Sequence, residues 1–430
     1  MRFLGVGKGN DLADMYLRLQ QRGHDVRVYV GDPAAHDIFA GMLTFSDDWQ
    51  RYLEWVGREG IIIFEGVGWG ETQDALRKRG FNVIGGSALG DRLETDRAFG
   101  QSVLHDAGLL TAASHEFDDF DQAIEFVRKN RARYVVKFSG EGFASTRNYV
   151  GAMDSGDDIL AVLRLQRDRW TYDERPHFIL MEHLAGIEVG VGAFFNGRTF
   201  LQPANLDWEH KRFFPGNLGE LTGEMGTVVS YRGGDKLFEA TLVRIAPLLR
   251  AAGHVGYVNL NMIINDAGVW PLEFTCRFGY PGFAVLEPLK ALGWGELFRS
   301  MIRRDAVSFP TKARYSVCIV LSTPPFPYSR KEINVPLGLP VIVDGVEPEH
   351  LHWGEVGRVG EELVTSGLYG WTAVVTGTGN TIGEAQAAAY ARAARVRSPN
   401  MRYRLDIGDK LLGGDLQRLI DWGWLQPLGD

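Results

Sequence analysis

The sequence predicts an α/β and α+β protein of several domains that begins with a doubly wound parallel sheet. Two observations support this prediction: apolar strands alternate with amphipathic helices over residues 1–90, and the pattern changes again after Pro310. Strands that alternate with helices are typical of parallel sheets covered by helices on both faces. A chain of 430 residues is long enough for several structural units rather than one small domain.

The first 90 residues contain two copies of one plan. The segment "RFLGVGKGNDLADMYLRLQQRGHDVRVYVG" predicts a strand, a glycine turn, a helix and a second strand, with Leu12, Met15, Tyr16 and Leu19 at helical spacing. The segment "GIIIFEGVGWGETQDALRKRGFNVIGG" repeats the order of strand, turn and helix. Residues 1–90 are therefore predicted to form an N-terminal α/β domain.

The rest of the chain predicts two further units. One helix, "DRLETDRAFGQSVLHDAGL", is expected to lead into strands joined by glycine-rich turns over residues 91–308. The runs "YSVCIVLS", "LPVIVDGV" and "WTAVVTGTG", followed by the helix "TIGEAQAAAYARAARVR", predict a separate C-terminal α+β unit over residues 309–430. Residues 409–430 extend this unit and predict an amphipathic helix that has no functional interpretation.

Composition and charge exclude several classes of partner. The formal net charge of −8 argues against a broad nucleic-acid or anionic-membrane surface. The two cysteines, Cys276 and Cys318, form no C-x-x-C pair, so a disulfide framework or a thiolate zinc site is not expected, and a reducing cytoplasm fits. We find neither a signal peptide nor a stretch that would span a bilayer. Small molecules are therefore the expected partners.

The stretch "PLEFTCRFGYPGF" places polar groups at alternate positions of a predicted strand. Glu273, Thr275 and Arg277 would share one face, and Leu272, Phe274 and Cys276 the other. A solvated sheet face is the simple alternative. Asn261, in "YVNLNMII", precedes Glu273 by an interval that suits neighbouring paired strands. Asn261, Glu273 and Thr275 would then converge on a hard cation such as Mg²⁺, which accepts few protein ligands besides phosphates.

Two glycine-rich turns are candidate phosphate sites. In "GVGKGN", Gly5 to Asn10, backbone N–H groups at a helix start would bind a phosphate, although a tight structural turn explains the pattern equally well. In "VVKFSGEGFAS", Lys137 ends a strand before a loop that contains Gly140 and Gly142, an arrangement that suits nucleotide phosphates. A solvated lysine at a strand end is the alternative for Lys137.

Two further segments suggest substrate contacts. In "FILMEHLAGIEVGVGAFFNG", backbone groups near Glu182 would pair with adenine, and Glu182 or Glu188 would accept ribose hydroxyls; a plain hairpin is the alternative. In "WEHKRFFPGNLGELTGEMG", His210, Lys211 and Arg212 precede a long glycine-rich loop. Long charged loops inside compact domains are often functional, and a surface loop is the alternative.

Taken in order, these segments resemble the ATP-grasp superfamily and, within it, the glycinamide ribonucleotide synthetases (phosphoribosylamine–glycine ligases). The resemblance covers nearly the whole chain. "YVVKFSGEGF" is similar to the family's phosphate-binding strand and loop, "MEHLAGIEVGV" to its adenosine hinge, and "EHKR…GNLGELTGEMG" to its substrate loop. "LEFTCRFGYPG" resembles the metal-binding strand, and "TIGEAQAAAYARAARVRSPNMRYRLDIG" the C-terminal helix and tail.

The resemblance implies an N-terminal domain over residues 1–90, an ATP-grasp domain over residues 91–308 with a lid at about 112–185, and a C-terminal domain. It implies a cytoplasmic ligase that activates a carboxylate with ATP as an acyl phosphate, from which an amine displaces phosphate. Mg²⁺ or Mn²⁺ would bind Glu273 and Thr275, and Arg277, Lys211 and Arg212 would be catalytic. The implied ATP contacts are Arg97, Lys137, Gly140, Gly142, Ser145, Glu182, Leu184, Glu188 and Asn261. The implied substrate contacts are Gly7, Lys8, Gly9, Asn10, His210, Thr222, Gly223, Met225 and Gly226.

The departures from the family pattern concern mostly the substrate side. On the substrate side, the N-terminal loop lacks the Arg and His with which the family handles a sugar phosphate. On the ATP and metal side, Arg97 stands where a lysine is usual, and Thr275 replaces a metal-binding Asn. We therefore expect a shifted amine acceptor, for example a modified nucleotide. A true glycinamide ribonucleotide synthetase and a non-catalytic ATP-binding protein are the alternatives, and the protein is expected to be a monomer or homodimer.

Overall fold

The first domain is the parallel sheet that the sequence predicts. The structure is a computed structural model that describes residues 1–138, 148–170 and 175–426. The strands are β1 (Arg2–Gly7), β2 (Asp25–Val30), β3 (Phe45–Ser46), β4 (Ile61–Phe64) and β5 (Asn82–Ile84), and the helices are α1 (Ala13–Gln21), α2 (Leu53–Val56) and α3 (Gly70–Lys78). All pairs are parallel, in the order β3-β2-β1-β4-β5. The strand order reverses between β1 and β4, and ligands of such sheets bind outside the carboxyl ends of the strands at this point.

Two helices, rather than the single predicted one, follow this sheet. They are α4 (Ala88–Thr95) and α5 (Arg97–Asp106). Asp96 between them is extended, with φ −96° and ψ 93°, and its carboxylate accepts a hydrogen bond from the Phe99 N–H at the start of α5. Asp favours such an N-cap over a helix interior, which explains the break. The break places Arg97 at the first position of α5.

A small antiparallel sheet with its own core follows. It contains β6 (Ser114–Phe117), β7 (Tyr134–Phe138), β8 (Tyr149–Val150) and β9 (Phe178–Glu182) in the order β6-β9-β7-β8, with helices α6 (Phe120–Lys129) and α7 (Asp157–Arg169). Its apolar side chains form a cluster separate from the main core, around Val127, Val136, Leu163 and Phe178. This unit lies within the predicted lid.

The central part of the chain supplies most of a large antiparallel sheet. Its strands are β10 (Ile187–Asn196), β11 (Asn205–Glu209), β12 (Arg212–Phe214), β13 (Leu218–Leu221), β14 (Gly226–Ser230), β15 (Val255–Asn265) and β16 (Gly268–Thr275). Its helices are α8 (Asp235–Ala240), α9 (Leu242–Ala251), α10 (Gly282–Leu286) and α11 (Trp294–Arg303). Strands β12 and β13 form a separate hairpin, and the others join one sheet.

The C-terminal part continues the same sheet. Its elements are β17 (Tyr315–Ser322), β18 (Ile342–Val343), β19 (Leu351–Trp353), β20 (Val356–Val359), β21 (Glu362–Thr365), β22 (Trp371–Gly379), β23 (Val396–Arg397), α12 (Ile382–Ala393) and α13 (Leu416–Asp421). The sheet order is β16-β15-β10-β11-β14-β17-β22-β19. The sheet therefore crosses the predicted boundary at 308/309, because β17 pairs with an edge of β14 that would otherwise be exposed. No helix among the described residues has the length and apolarity to cross a membrane.

Candidate active site

A cavity of about 1180 Å³ lies where the N-terminal sheet, the small sheet and the large sheet meet. Asp11 and Gly66 contribute from the switch point of the N-terminal sheet, Lys137 and Met181 from the small sheet, and Glu273 from the large sheet. Ligand pockets are commonly about 300–1,000 Å³, so this cavity has room for a nucleotide together with a second substrate.

One row of residues across the large sheet forms the floor of the cavity. Glu273 on β16 pairs with Asn261 on β15, as the sequence interval predicts. Asn261 pairs in turn with Gly190 on β10, and Gly190 with Asp207 on β11. Because Gly190 has no side chain, the row has a gap between Asn261 and Asp207.

Three cations surround the Glu273 carboxylate. The Arg97 guanidinium contacts it directly, Lys211 Nζ lies 3.4 Å from its Oε1 and Lys137 Nζ lies 3.8 Å from its Oε2. Burial opposes ionisation, but these cations hold the pKa of Glu273 well below its usual range. Burial lowers the pKa of Lys137, and Glu273 opposes that shift. The group is therefore a partly buried carboxylate that shares several positive partners.

Lys211 links this group to two more carboxylates. Its Nζ lies 2.9 Å from Glu188 Oε1 and 3.1 Å from Glu209 Oε2. Burial opposes the charge, but Glu188, Glu209 and Glu273 hold the pKa of Lys211 well above its usual range. Asn261 Nδ2 also donates to Glu188, at 2.7 Å. Glu188 thus lies beside Lys211 and Asn261, on the floor of the cavity.

The residues present suit Mg²⁺ bound together with nucleotide phosphates. Glu273 is held ionised, and Thr275 lies two positions along the same strand. Over the described ranges, no group of three or more His, Cys, Asp or Glu side chains is arranged to hold a metal. A metal ion here would take most of its ligands from phosphates and water, as Mg²⁺ commonly does.

The predicted adenosine residues lie at one end of the cavity. Glu182 ends β9, and Leu184 packs with Ala112, Ile179, Met181 and Leu272 in a small apolar cluster. The expectation that Leu272 shares the core face with Phe274 is wrong: the pairing of β15 with β16 is irregular between Asn261 and Met262, and Leu272 is left out of register. Such a bulge re-aims a side chain, and Leu272 lines the cavity. Gly140, Gly142 and Ser145 lie outside the described residues.

The N-terminal loop already holds a carboxyl group. Glu65, just after β4, accepts a hydrogen bond from the Asp11 N–H at 2.9 Å and a second from the backbone of Leu12, at the start of α1. Burial and the neighbouring Asp11 raise the pKa of Glu65 to about 8. A Cβ at Gly7 would lie 2.2 Å from Glu65 Oε2, so the loop and this carboxyl are tightly packed.

The four predicted substrate contacts of this loop are not among the residues that line the cavity. Gly7, Lys8, Gly9 and Asn10 do not line the cavity, whereas the next residue, Asp11, does. Asn10 is buried and left-handed, with φ 63°, and its Nδ2 donates to the Ile38 carbonyl at 3.1 Å. Asn10 thus fixes the loop conformation.

The predicted substrate loop is divided between cavity and core. His210, Lys211, Arg212, Thr222 and Gly223 line the cavity. Met225 packs instead with Phe213 and Phe326, and Gly226 pairs with Ile319. The Thr222 hydroxyl donates to the Lys211 carbonyl at 2.8 Å and thereby closes the loop.

The C-terminal tail anchors this loop. The buried Arg404 guanidinium donates to the Arg212 carbonyl and to Asn217 Oδ1, each at 2.9 Å, and contacts Asp406. His210 Nε2 accepts from the Gly408 N–H at 3.2 Å. Burial and the nearby Arg404 lower the pKa of His210 to about 4, so this histidine is neutral.

Arg277 lies just beyond β16 and is held by a residue that the sequence analysis missed. Its Nε donates to Glu94 Oε1 at 3.0 Å, and Glu94 Oε2 accepts from the Cys276 N–H at 2.9 Å. Glu94 comes from α4, and nothing in its own segment marks it as a partner of Arg277.

Tyr280 stacks on Trp371 with ring centroids 4.8 Å apart, and both line the cavity.

Comparisons with known proteins agree with this geometry. Residues 95–283 match the family model for the ATP-grasp (A) domain of phosphoribosylglycinamide synthetase. Over 96% of this chain and 97% of the relative, the sequence is 26% identical to a phosphoribosylamine–glycine ligase of Halalkalibacterium halodurans. The fold is similar to that of the Thermotoga maritima phosphoribosylamine–glycine ligase, with a TM-score of 0.74, 22% identity, and 95% and 100% of the two chains covered. It is also similar to a biotin carboxylase of Campylobacter jejuni, with a TM-score of 0.65, 11% identity, and 93% and 92% covered.

ATP-grasp ligases of this kind form C–N bonds, release ADP, and use ATP and Mg²⁺. Residues 95–283 accordingly form an ATP-grasp domain, and the chain as a whole resembles the phosphoribosylamine–glycine ligases.

Proposed function

We propose that the protein joins a carboxylate to an amine through an acyl phosphate formed from ATP, and that the amine differs from phosphoribosylamine. The observation that supports the ligase chemistry is the set of three cations, Arg97, Lys137 and Lys211, around the ionised Glu273. Cations placed where phosphoryl charge develops are the main source of catalysis in such reactions. Lys137 is buried, and Arg97, Lys211 and Glu273 are partly buried, so their charges act in a medium of lower dielectric constant than bulk water.

Each residue of this group has a defined task in the proposal. Arg97 and Lys137 hold the transferring phosphoryl group, and Glu273 with Thr275 holds the metal. Mg²⁺, when bound, neutralises charge on the phosphate oxygens. Lys211 is fixed by Glu188 and Glu209 and faces the acyl group. Arg277, held by Glu94, and Arg212 face the substrates from the other side of the cavity.

The apolar cluster suits an adenine ring. Ile179 and Met181 lie on the small sheet and Leu272 on the large one, so a flat ring would fit between the two units. Glu182, at the end of β9, lies next to this cluster and would accept the ribose hydroxyls. We include a cytoplasmic location in the proposal, since Cys276 and Cys318 are both free and buried.

Glu65 supports the shift in acceptor. A helix N-terminus attracts a phosphate through its unpaired N–H groups. At the start of α1, the N–H of Asp11 donates to the Glu65 carboxyl, and the backbone of Leu12 is bonded to it as well. Asp11 itself lines the cavity beside this position. The phosphate of a sugar phosphate would lie beside the acidic side chains of Glu65 and Asp11, which disfavour a second acidic group. An amine that carries no phosphate would avoid this contact.

True phosphoribosylamine–glycine ligase is the second candidate. The observation that favours it is the breadth of the sequence similarity: the Halalkalibacterium relative aligns over 96% of this chain. The two candidates share the ATP chemistry and differ only in the acceptor.

The test is ADP release by the purified protein with Mg²⁺, ATP and glycine. Phosphoribosylamine, generated in situ, is present in one arm, and a panel of amines without phosphate replaces it in another. We expect ADP release with an amine of the panel and none that depends on phosphoribosylamine. Release that requires phosphoribosylamine and yields glycinamide ribonucleotide would establish the second candidate. Absence of ADP release in every arm, with the Lys137→Met variant indistinguishable from the parent in ATP binding, would refute the ligase assignment.

A further inference from the structure

We propose that Asp207 and Glu224 form a subsite for the ammonium group of the amine substrate. This inference rests on the proposed function and adds the charge of the acceptor. The two residues line the same cavity, and Asp207 lies across the gap at Gly190 from Asn261; of the cations around Glu273, Lys211 acts electrostatically on both. The sequence analysis singled out neither of them.

Asp207 presents one carboxyl oxygen that has no partner. Its Oδ2 accepts hydrogen bonds from Asn259 Nδ2 at 2.6 Å and from Asn205 Nδ2 at 3.0 Å. Its Oδ1 has no hydrogen-bond partner among the described residues, although the side chain is only 5% exposed. A Cβ at Gly190 would lie 1.9 Å from Oδ1, so the carboxyl leans over the gap in the sheet row. The two amides therefore fix the carboxyl of Asp207, and its Oδ1 is left without a partner beside the gap at Gly190.

Glu224 presents a second such oxygen. This residue lies between β13 and β14 and is 8% exposed. Its Oε1 also has no hydrogen-bond partner within the part of the chain that the structure describes. Burial and the neighbouring acids Glu209 and Asp207 raise the pKa of Glu224 well above its usual range, and Lys211 opposes this shift. Unpartnered buried acceptors are costly, and a donor from a ligand would satisfy both.

The balance of charge selects a cation. Glu209 already pairs with Lys211, but the described residues form no ion pair with Asp207 or Glu224. Burial and Glu209 raise the pKa of Asp207 to about 8, and Lys211 opposes this shift; a cation bound beside Asp207 would lower its pKa and favour the ionised form. A metal ion fits less well, because none of the described His, Cys, Asp and Glu side chains form a metal-type group of three. An organic ammonium has three donors and needs only two or three acceptors.

The test compares two probes that differ only in this group. Glycinamide carries an ammonium where glycolamide carries a hydroxyl. Their dissociation constants are measured by ligand-observed NMR on the full-length protein with Mg²⁺ and a non-hydrolysable ATP analogue. The variants are Asp207→Asn and Glu224→Gln, and the control is Glu125→Gln on the surface of α6. The dissociation constant of Mg²⁺-ATP is measured for every protein.

We expect the parent and the control to bind glycinamide about ten-fold more tightly than glycolamide, the scale of hydrogen bonds to charged groups. Both site variants should lose this preference and keep their affinity for ATP within two-fold. Equal binding of the two probes to the parent would overturn the subsite, whether or not Asp207→Asn folds, and so would an unchanged preference in Glu224→Gln. Competition of Mg²⁺ alone against glycinamide would make it a metal site instead. If the parent does not bind Mg²⁺-ATP, the proposed ligase function is refuted. Failure of the subsite and failure of the proposed function therefore give different results.

Discussion

Replacement of Lys137 by Met is expected to lower kcat/KM for ATP by about 10²- to 10³-fold. Lys137 Nζ lies 3.8 Å from the Glu273 carboxylate, and a phosphate oxygen that takes this place would lie at a similar distance. Two unit charges about 4 Å apart interact by about 4 kcal/mol at an effective dielectric constant of about 20. Since 1.36 kcal/mol corresponds to a factor of ten, the upper limit is about 10³. Arg97 and Lys211 remain as partners, so the lower part of the range is included.

The fold should survive this substitution. Burial lowers the pKa of Lys137, which shows that the folded state disfavours its charge, and Met keeps most of the side-chain volume. We therefore expect a melting temperature no lower than that of the parent. The control is Lys129→Met on the exposed end of α6, where Lys129 pairs only with Glu125. ADP release is measured against ATP concentration for all three proteins. A Lys137→Met enzyme within five-fold of the parent would show that the cations around Glu273 do not hold phosphates.

Three further predictions concern the floor of the cavity, the tail and acid stability. Glu273→Gln should weaken the dependence of ATP binding on Mg²⁺ by at least ten-fold, because Glu273 is the charged member of the proposed metal ligands Glu273 and Thr275. Calorimetry with and without Mg²⁺ measures this dependence, and an unchanged dependence would contradict the assignment. Arg404→Met should lower the free energy of unfolding by about 3 kcal/mol, since it leaves Asp406 and two loop acceptors without their buried partner; denaturant unfolding that matches the parent would argue against the anchor. Burial lowers the pKa of His254 to about 3, so the stability that it contributes is present above pH 6.5 and falls as the pH drops toward 3. Between pH 7 and 5 the parent should lose about 2 kcal/mol more than His254→Gln, and parallel pH profiles would contradict the buried neutral state.

Local patterns predicted those parts of the site that lie on regular strands. The pairing of Asn261 with Glu273 follows from the interval between them, and the structure has this register. Strand alternation failed at Leu272, because a bulge depends on how two strands fit together and not on the residues of one strand. The helix break at Asp96 was foreseeable, since Asp is a strong N-cap residue.

Contacts between distant segments explain most of what the sequence analysis missed. Glu65 directly follows the apolar strand β4, and its carboxyl reaches the start of α1 only because β1 and β4 are neighbours in the sheet. Asp207 likewise lies in a strand with no motif, and its environment comes from Asn259 on β15. Glu188 was expected to bind ribose, and the structure places it beside Lys211, which lies between β11 and β12. Its role, like those of the other site residues, stays a proposal.

The anchoring of the loop by Arg404 and Gly408 bears on how the protein is made. A ribosome releases the chain from its N-terminus, so the strands that carry Lys137 and Glu273 emerge long before the tail. A nascent or prematurely terminated chain that stops before Arg404 lacks the donors that hold Arg212 and Asn217. Lys211, one of the three cations around Glu273, directly precedes the anchored Arg212 in the chain. Synthesis of the segment from Arg404 to Gly408 is therefore needed to complete the cavity, and products that stop before it should have an incomplete site.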